Sequence, residues 1–432
     1  MKRIIEKKFL DWKNDLNKKP LLVYGARQVG KTYSIVEFGK QYYDNIVYLN
    51  FEGNASLKQV FDRDLNPKRI LTELEAISGQ RIIPEKTLII FDEIQECERA
   101  LTSLKYFCEE CPEYHMVAAG SLLGLALNRG QFSFPVGKVN ILTMYPLNFE
   151  EFLMALNRND LIELIQTAYQ ANAPILPQIH ELLLDYYHKY LAVGGMPAVV
   201  QAFLNQDDFD YVRIAQNEIQ SSYYGDMTKY TNIKESNKII ATYRSIPSQL
   251  AKENKKFQYK LIGSGARATT YESSIEWLQT AGIIHKCNKV REGYLPLKIY
   301  EDLLSYKIYM SDVGLLASSL NLTIQNILTD KISSDAKGAI AENYVMQQLV
   351  SLDLQPYYWE SNGKAELDFV IQTEEEVTPI ECKYADNVQA KSLKVFMQKY
   401  HSNYAIRISS KNFGFENNIK SVPLYALFCL KK

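Results

Sequence analysis

The stretch GARQVGKT, residues 25–32, sets two glycines, a lysine and a threonine between the apolar run PLLVY and the helix-forming run KTYSIVEFGK. G-x-x-x-x-G-K-T in that context is the pattern of a phosphate cradle. Gly25 and Gly30 let the loop of Ala26, Arg27, Gln28 and Val29 turn its N–H groups inward, and the following helix adds its positive end. Lys31 would then reach the β and γ phosphates of ATP, and the Thr32 hydroxyl would ligate Mg²⁺. The plain alternative is a glycine turn beside a solvated lysine.

Phosphoryl chemistry also needs acids, and TLIIFDEIQE, residues 87–96, ends an apolar strand in two of them. Asp92 would hold Mg²⁺, usually through water, and Glu93 would orient and deprotonate an attacking water. HMVAAGSLLG ends in Ser121, which reads equally as a γ-phosphate sensor or as a helix N-cap. A cation must offset charge developing on the phosphate, often an arginine from a neighbouring subunit, which implies a homo-oligomer. Arg129 in LNRGQFSFP and Lys138 in PVGKVNIL are the candidates.

These residues need a scaffold, and residues 20–145 alternate short apolar runs with helical stretches, the pattern of a parallel sheet covered by helices. From 147 to 230 apolar residues recur at helical spacing, interrupted by the turn GGMP at 194–197. Residues 238–295 read as three helices and a hairpin, the order of a winged helix. Ile275, Trp277 and Leu278 fall at helical spacing there and read as core. A helix near 336–351 and strands at PYYWES, AELDFVIQ, VTPIECK, YAIRIS and VPLYALF make a second α/β unit. The domains expected are 1–146, 147–235, 236–325 and 326–432.

The chain has 432 residues, with 49 Lys and Arg against 50 Asp and Glu, so a nucleic-acid surface would have to be a local patch. Lys255, Lys256, Lys260, Arg267, Lys286, Lys289 and Arg291 form such a cluster, suited to duplex DNA phosphates or merely to water. The N-terminus lacks a secretory apolar core, and no apolar run approaches the roughly 18 residues of a membrane span. Six irregularly spaced cysteines suggest reduced thiols in a cytoplasm. Cys108 and Cys111 have no second pair to complete a zinc site and read as helix-end packing.

In order, GARQVGKT, FDEIQ, AAGSLLG, PVGKV, YPLNFEEF, GGMPAVV, ELDF and IECK resemble a group of bacterial and archaeal AAA-type ATPases with a C-terminal domain of unknown function. The resemblance spans nearly the whole chain. It implies an α/β fold: a P-loop AAA-type parallel sheet core with a helical lid, a winged-helix segment and a C-terminal α/β domain similar to restriction endonucleases of the PD-(D/E)xK type. Family members usually carry Gly-Arg where this chain has Gly137-Lys138, and a lysine point charge does not replace an arginine fork. The nuclease-like fold implies Mg²⁺ bound by Glu342, Asp368 and Glu381, with Lys383 beside the attacking water. Glu381 and Lys383 are two apart on a strand and share a face, so they also read as a simple ion pair. Two functions follow as expectations: an ATPase that couples nucleotide state to DNA binding or processing, or a nucleotide-dependent switch that binds a protein partner and cuts nothing.

Overall fold

The protein is described here by a computed structural model covering residues 1–121, 135–206, 209–229, 231–361, 365–374, 376–383 and 391–430. It divides into two compact units, Met1–Tyr145 with Thr280–Gly282, and Pro146–Gln279 with Ile283–Lys432.

In the first unit, β1 (Leu21–Tyr24), β2 (Asn45–Asn50), β3 (Thr87–Asp92), β4 (His115–Ala119) and β5 (Asn140–Thr143) form one sheet in the order β2-β3-β4-β1-β5. All four pairings are parallel. Every residue of β3 and β4 is buried, as expected for strands covered on both faces. Leu22, Val47, Ile89, Phe91 and Leu104 share one apolar core. Because the strands run the same way, their carboxyl ends, and the loops leaving them, share one edge of the sheet.

The second unit opens with the helices Phe149–Ala155, Asn159–Ala171, Pro177–Val193, Pro197–Gln206 and Phe209–Lys229, matching the expected helical stretch. Asn148 caps the first of them in a reciprocal box with Glu151, which explains the polar pair inside YPLNFEEF. The next segment differs from a three-helix reading: Ile233–Leu250 and Ala268–Thr280 are helices, with a 3-10 turn at Tyr259–Leu261 between them. Ile275, Trp277 and Leu278 are buried, as expected.

β6 (Ile284–Val290) and β7 (Glu301–Met310) do pair as a hairpin, but the hairpin is no separate wing. β6 also runs parallel to β8 (Tyr357–Ser361), with Lys289 opposite Tyr358 and Val290 opposite Trp359. The hairpin therefore joins β9 (Ala365–Gln372), β10 (Val377–Cys382), β11 (Ala405–Ser409), β12 (Gly414–Glu416) and β13 (Ile419–Pro423) in an eight-stranded sheet, ordered β12-β13-β11-β10-β9-β8-β6-β7. One continuous sheet thus crosses the expected boundary between residues 325 and 326. Val290, Trp359, Leu367 and Phe396 lie in one core, and burying them together is what closes that seam.

The helices Val313–Ser319, Ile324–Leu328 and Ser334–Ser351 precede β8, and Lys391–Tyr400 lies between β10 and β11. The run VPLYALF is not a strand throughout, since β13 stops at Pro423 and Leu424–Leu430 is a 3-10 helix. A short fully buried apolar run carries no period to tell the two apart. No helix among the described residues is long and apolar enough to cross a membrane. All six cysteines are free thiols, and Cys111 is buried at the end of the helix Glu98–Glu110.

Candidate nucleotide site and a second acidic cluster

After β1 the chain turns through Gly25 (φ 146°), Gln28 (φ 66°) and Gly30 (φ 92°) into the helix Lys31–Tyr42. A Cβ on Gly25 would strike the Met144 carbonyl, so glycine is required there by both space and conformation. Lys31 is buried, and its Nζ donates to the carbonyls of Gly25 at 2.9 Å and Ala26 at 2.8 Å. The ammonium thus sits within the curve of the loop. Thr32 Oγ1 donates to Asp92 Oδ2 at 2.9 Å, which ties the start of the helix to the end of β3.

Asp92 is buried and carries two further donors: Tyr48 Oη reaches Oδ2 at 2.7 Å and the Glu93 N–H reaches Oδ1 at 3.1 Å. Burial and then Asp92 itself raise the Tyr48 phenol above its usual pKa, so it stays protonated as a donor. Glu93 stands in the left-handed region at φ 49°, and its Oε2 accepts from Gln95 Nε2 at 2.5 Å. Ser121, buried, follows β4, the strand between β3 and β1. The sheet order therefore brings the predicted loop, Asp92, Glu93 and Ser121 to one edge.

A hydroxyl and a carboxylate held 2.9 Å apart beside a helix N-terminus suit the coordination of Mg²⁺, an oxygen-seeking ion that stays partly hydrated in phosphate sites. Of the two candidate counter-cations, Arg129 lies outside the described residues. Lys138 Nζ is already engaged by Glu109 at 2.9 Å.

The second expected site is built differently. Cys382 N–H donates to Asp368 Oδ2 at 2.9 Å, and the antiparallel register of β9 and β10 pairs Ile380 with Phe369, the neighbours of Glu381 and Asp368. Lys383 Nζ stands 3.5 Å from Glu381 Oε1, so the ion-pair reading of that spacing holds. Glu342, buried on the helix Ser334–Ser351, has both oxygens occupied. Lys255 Nζ bonds Oε1, while Oε2 receives Tyr309 Oη at 3.2 Å and faces Lys307 Nζ at 3.9 Å. Lys307 is almost wholly buried and also meets Glu366 at 2.7 Å. Burial opposes charge on Glu342, yet Lys307 and Lys255 hold its carboxyl below the usual value. Asp368, with burial first and Glu342 second against its charge, is pushed up to about 7.

Among the described residues no three His, Cys, Asp or Glu side chains are placed to hold one metal ion. Within the quartet of Glu342, Asp368, Glu381 and Lys383, Glu381 Oε2 is the atom that is buried without a partner. Asp368 thus lies near Glu342 and Lys383, and Glu381 beside Lys383, without three carboxylates grouped around one point among the described residues.

The comparisons with known proteins bear on the first site. Residues 17–153 match the model of an AAA domain. The N-terminal region is thus similar to AAA domains. Residues 184–326 and 337–427 match two domains of unknown function, DUF8612 and DUF4143. No curated protein matches the chain. Similar solved structures include a Walker-type ATPase of Pyrococcus abyssi, 14% identical with a TM-score of 0.46, over 74% of this chain and 95% of that one. The ORC2 protein of Aeropyrum pernix, in complexes with ADPNP and ADP, is 13% identical with a TM-score of 0.40, over 76% and 95%. DnaA of Aquifex aeolicus bound to AMPPCP is 15% identical with a TM-score of 0.29, over 63% and 86%.

Within this region, Tyr48 and Gln95 are the side chains that reasoning from sequence did not find. Tyr48 lies two residues before the end of β2, on the strand beside β3, and Gln95 is the third residue after Asp92. Only the strand order reveals that Tyr48 reaches the acid.

Proposed function

We propose that the protein binds ATP with Mg²⁺ and hydrolyses it at the site of Lys31, Thr32, Asp92 and Glu93. The observation that carries this reading is the Thr32 to Asp92 hydrogen bond of 2.9 Å at the mouth of the phosphate loop. Lys31 and the inward N–H groups bind phosphate oxygens, Thr32 and Asp92 orient the cation, and Glu93 takes a proton from water when released by Gln95. Mg²⁺, when bound, spreads the charge that develops between the β and γ phosphates. Ser121 stands at the third strand end as the candidate sensor. An arginine to complete the site would come from a second copy of the chain, so the active form is an oligomer.

For the other half of the molecule, the state of the basic cluster favours a nucleotide-dependent switch over a DNA-processing enzyme. Lys255 is bonded to Glu342, Lys256 and Lys289 meet Glu360 at 2.6 and 3.2 Å, and Arg291 faces Asp302 at 3.8 Å. Lys286 lies over the ring of Tyr306 at 4.1 Å. Phosphate binding would have to break these pairs, which lowers its gain. Lys260 and Arg267 remain as exposed cations, too few for the steep salt dependence of a duplex-binding surface. A protein partner whose affinity follows the nucleotide state fits this surface better.

Two measurements test the reading. Lys31→Ala is expected to remove nucleotide binding and hydrolysis, and full activity in that variant would end the claim. Duplex DNA binding, followed by anisotropy with and without ATP, is expected to be weak with a shallow salt slope. A steep slope, or plasmid cleavage with Mn²⁺ that Asp368→Ala abolishes, would restore the DNA-processing reading.

A further inference from the structure

The carboxylates of the eight-stranded sheet raise a question of charge. Glu342 is 6% exposed and Lys307 only 1%, and neither can be carried into a protein interior alone. Each oxygen of Glu342 faces an ammonium, Lys255 on one side and Lys307 on the other. The two lysines come from distant points of the chain. Lys255 lies between the helix Ile233–Leu250 and the 3-10 turn Tyr259–Leu261, and Lys307 lies on β7. Gly338, one helical turn before Glu342, borders the Lys255 ammonium: a Cβ there would lie at ordinary contact distance, 3.6 Å, from its Nζ.

We propose that Lys255 and Lys307 are the permanent counter-ions of this carboxylate cluster, standing where a divalent cation would otherwise stand, and that the cluster is a metal-free clamp. It fastens the 251–258 segment and β7 to the helix Ser334–Ser351. The same helix is fixed to the same strand by Asn343, whose amide bonds both the N–H of Met310 at 2.8 Å and its carbonyl at 3.0 Å. Gln347 Oε1 then accepts the Val313 N–H at 2.9 Å. Charge compensation and amide pairing thus run along one face of one helix, against one strand and the turn that follows it. A tethered ammonium cannot polarise a phosphate or lower the pKa of water as a divalent ion does, so a clamp of this kind does not cut. This deepens the switch reading by assigning the cluster a structural task.

The test is run without nucleotide, so that the ATP site plays no part in the outcome. Electron paramagnetic resonance with millimolar Mn²⁺ is expected to show no bound ion that depends on Glu342, Asp368 or Glu381 in the wild-type protein. Bound Mn²⁺ that disappears in Glu342→Gln, Asp368→Asn or Glu381→Gln would overturn the proposal. In thermal unfolding, Lys255→Met keeps the apolar stem and removes the charge, and should lower Tm by on the order of 10 °C. The double variant Lys255→Met with Glu342→Gln should recover more than half of that loss, and an unfolded single variant rescued by the second change reads the same way. An unchanged Tm in Lys255→Met, or no recovery in the double variant, overturns the clamp.

Discussion

Asp92 and Glu342 are both buried acids in α/β units, yet their surroundings answer different needs. Asp92 accepts from the hydroxyls of Thr32 and Tyr48 and from the Glu93 N–H, all neutral donors. Glu342 has Lys255 and Lys307. Neutral donors orient a carboxylate and leave its charge for an arriving cation, whereas an ammonium consumes that charge on folding. Which counter-ion a site was built to accept can thus be read from the partners its acids already have.

The largest expected effect breaks the first half of this comparison. Glu93→Gln should lower the rate of ATP hydrolysis roughly 10²- to 10⁴-fold while nucleotide binding persists, read by phosphate release beside a binding titration. An undiminished rate would remove Glu93 as the base. Next comes the second half: Lys307→Met leaves Glu342 short of a counter-charge and should cost about 3–5 kcal/mol in chemical unfolding. A neutral outcome would mean that the acids are screened by solvent and the contrast with Asp92 is lost.

A third acid sharpens the contrast. Asp312 is fully buried and has neutral partners only, the Gly195 N–H at 2.6 Å, the Leu315 N–H at 3.0 Å and Gln347 Nε2 at 3.4 Å among them. Burial outweighs those donors and pushes its carboxyl up from 3.8 to about 6. The folded state therefore holds this proton more tightly than the unfolded chain. Its contribution to stability is complete below about pH 4 and is lost as pH rises through about 6, a change of about 3 kcal/mol. Asp312→Asn should flatten that slope, and an equal slope in both proteins would show that another group titrates.

How much of this could be seen in the sequence depends on whether a site is local. The phosphate loop is contiguous, its glycines are forced by backbone geometry, and Asp92 and Glu93 close an unmistakable apolar strand, so these residues were legible. The helix Ser334–Ser351 was also legible as a helix, but its polar residues were not legible as interior. Glu342, Asn343, Gln347 and Gln348 are all buried because their partners on β7, at the Phe149 N–H and on Tyr190 come from far along the chain. The glycines of GGMP read only as a turn. In the structure a Cβ on Gly194 would strike the Asp312 carboxyl, and one on Gly195 would strike the Leu147 carbonyl. Long-range pairing, as between β6 and β8 or Lys255 and Glu342, leaves no period in the sequence to follow.

Tyr48 carries the smallest expected effect and the finest form of the comparison. Its phenol shares Asp92 Oδ2 with Thr32, so it either holds the acid in place for Mg²⁺ or competes for the same oxygen. The Thr32 hydroxyl and the Glu93 N–H already hold one oxygen each, and the phenol adds a second donor that fixes the direction of Oδ2. Tyr48→Phe is therefore expected to raise the Mg²⁺ needed for half-maximal nucleotide binding about fivefold, near 1 kcal/mol, with little change in fold stability. A fluorescent nucleotide titrated at several Mg²⁺ levels reads this without hydrolysis. If the requirement falls instead, the phenol is a competitor for the cation. A neutral donor would then be doing to Asp92, weakly and reversibly, what Lys255 and Lys307 do to Glu342 permanently.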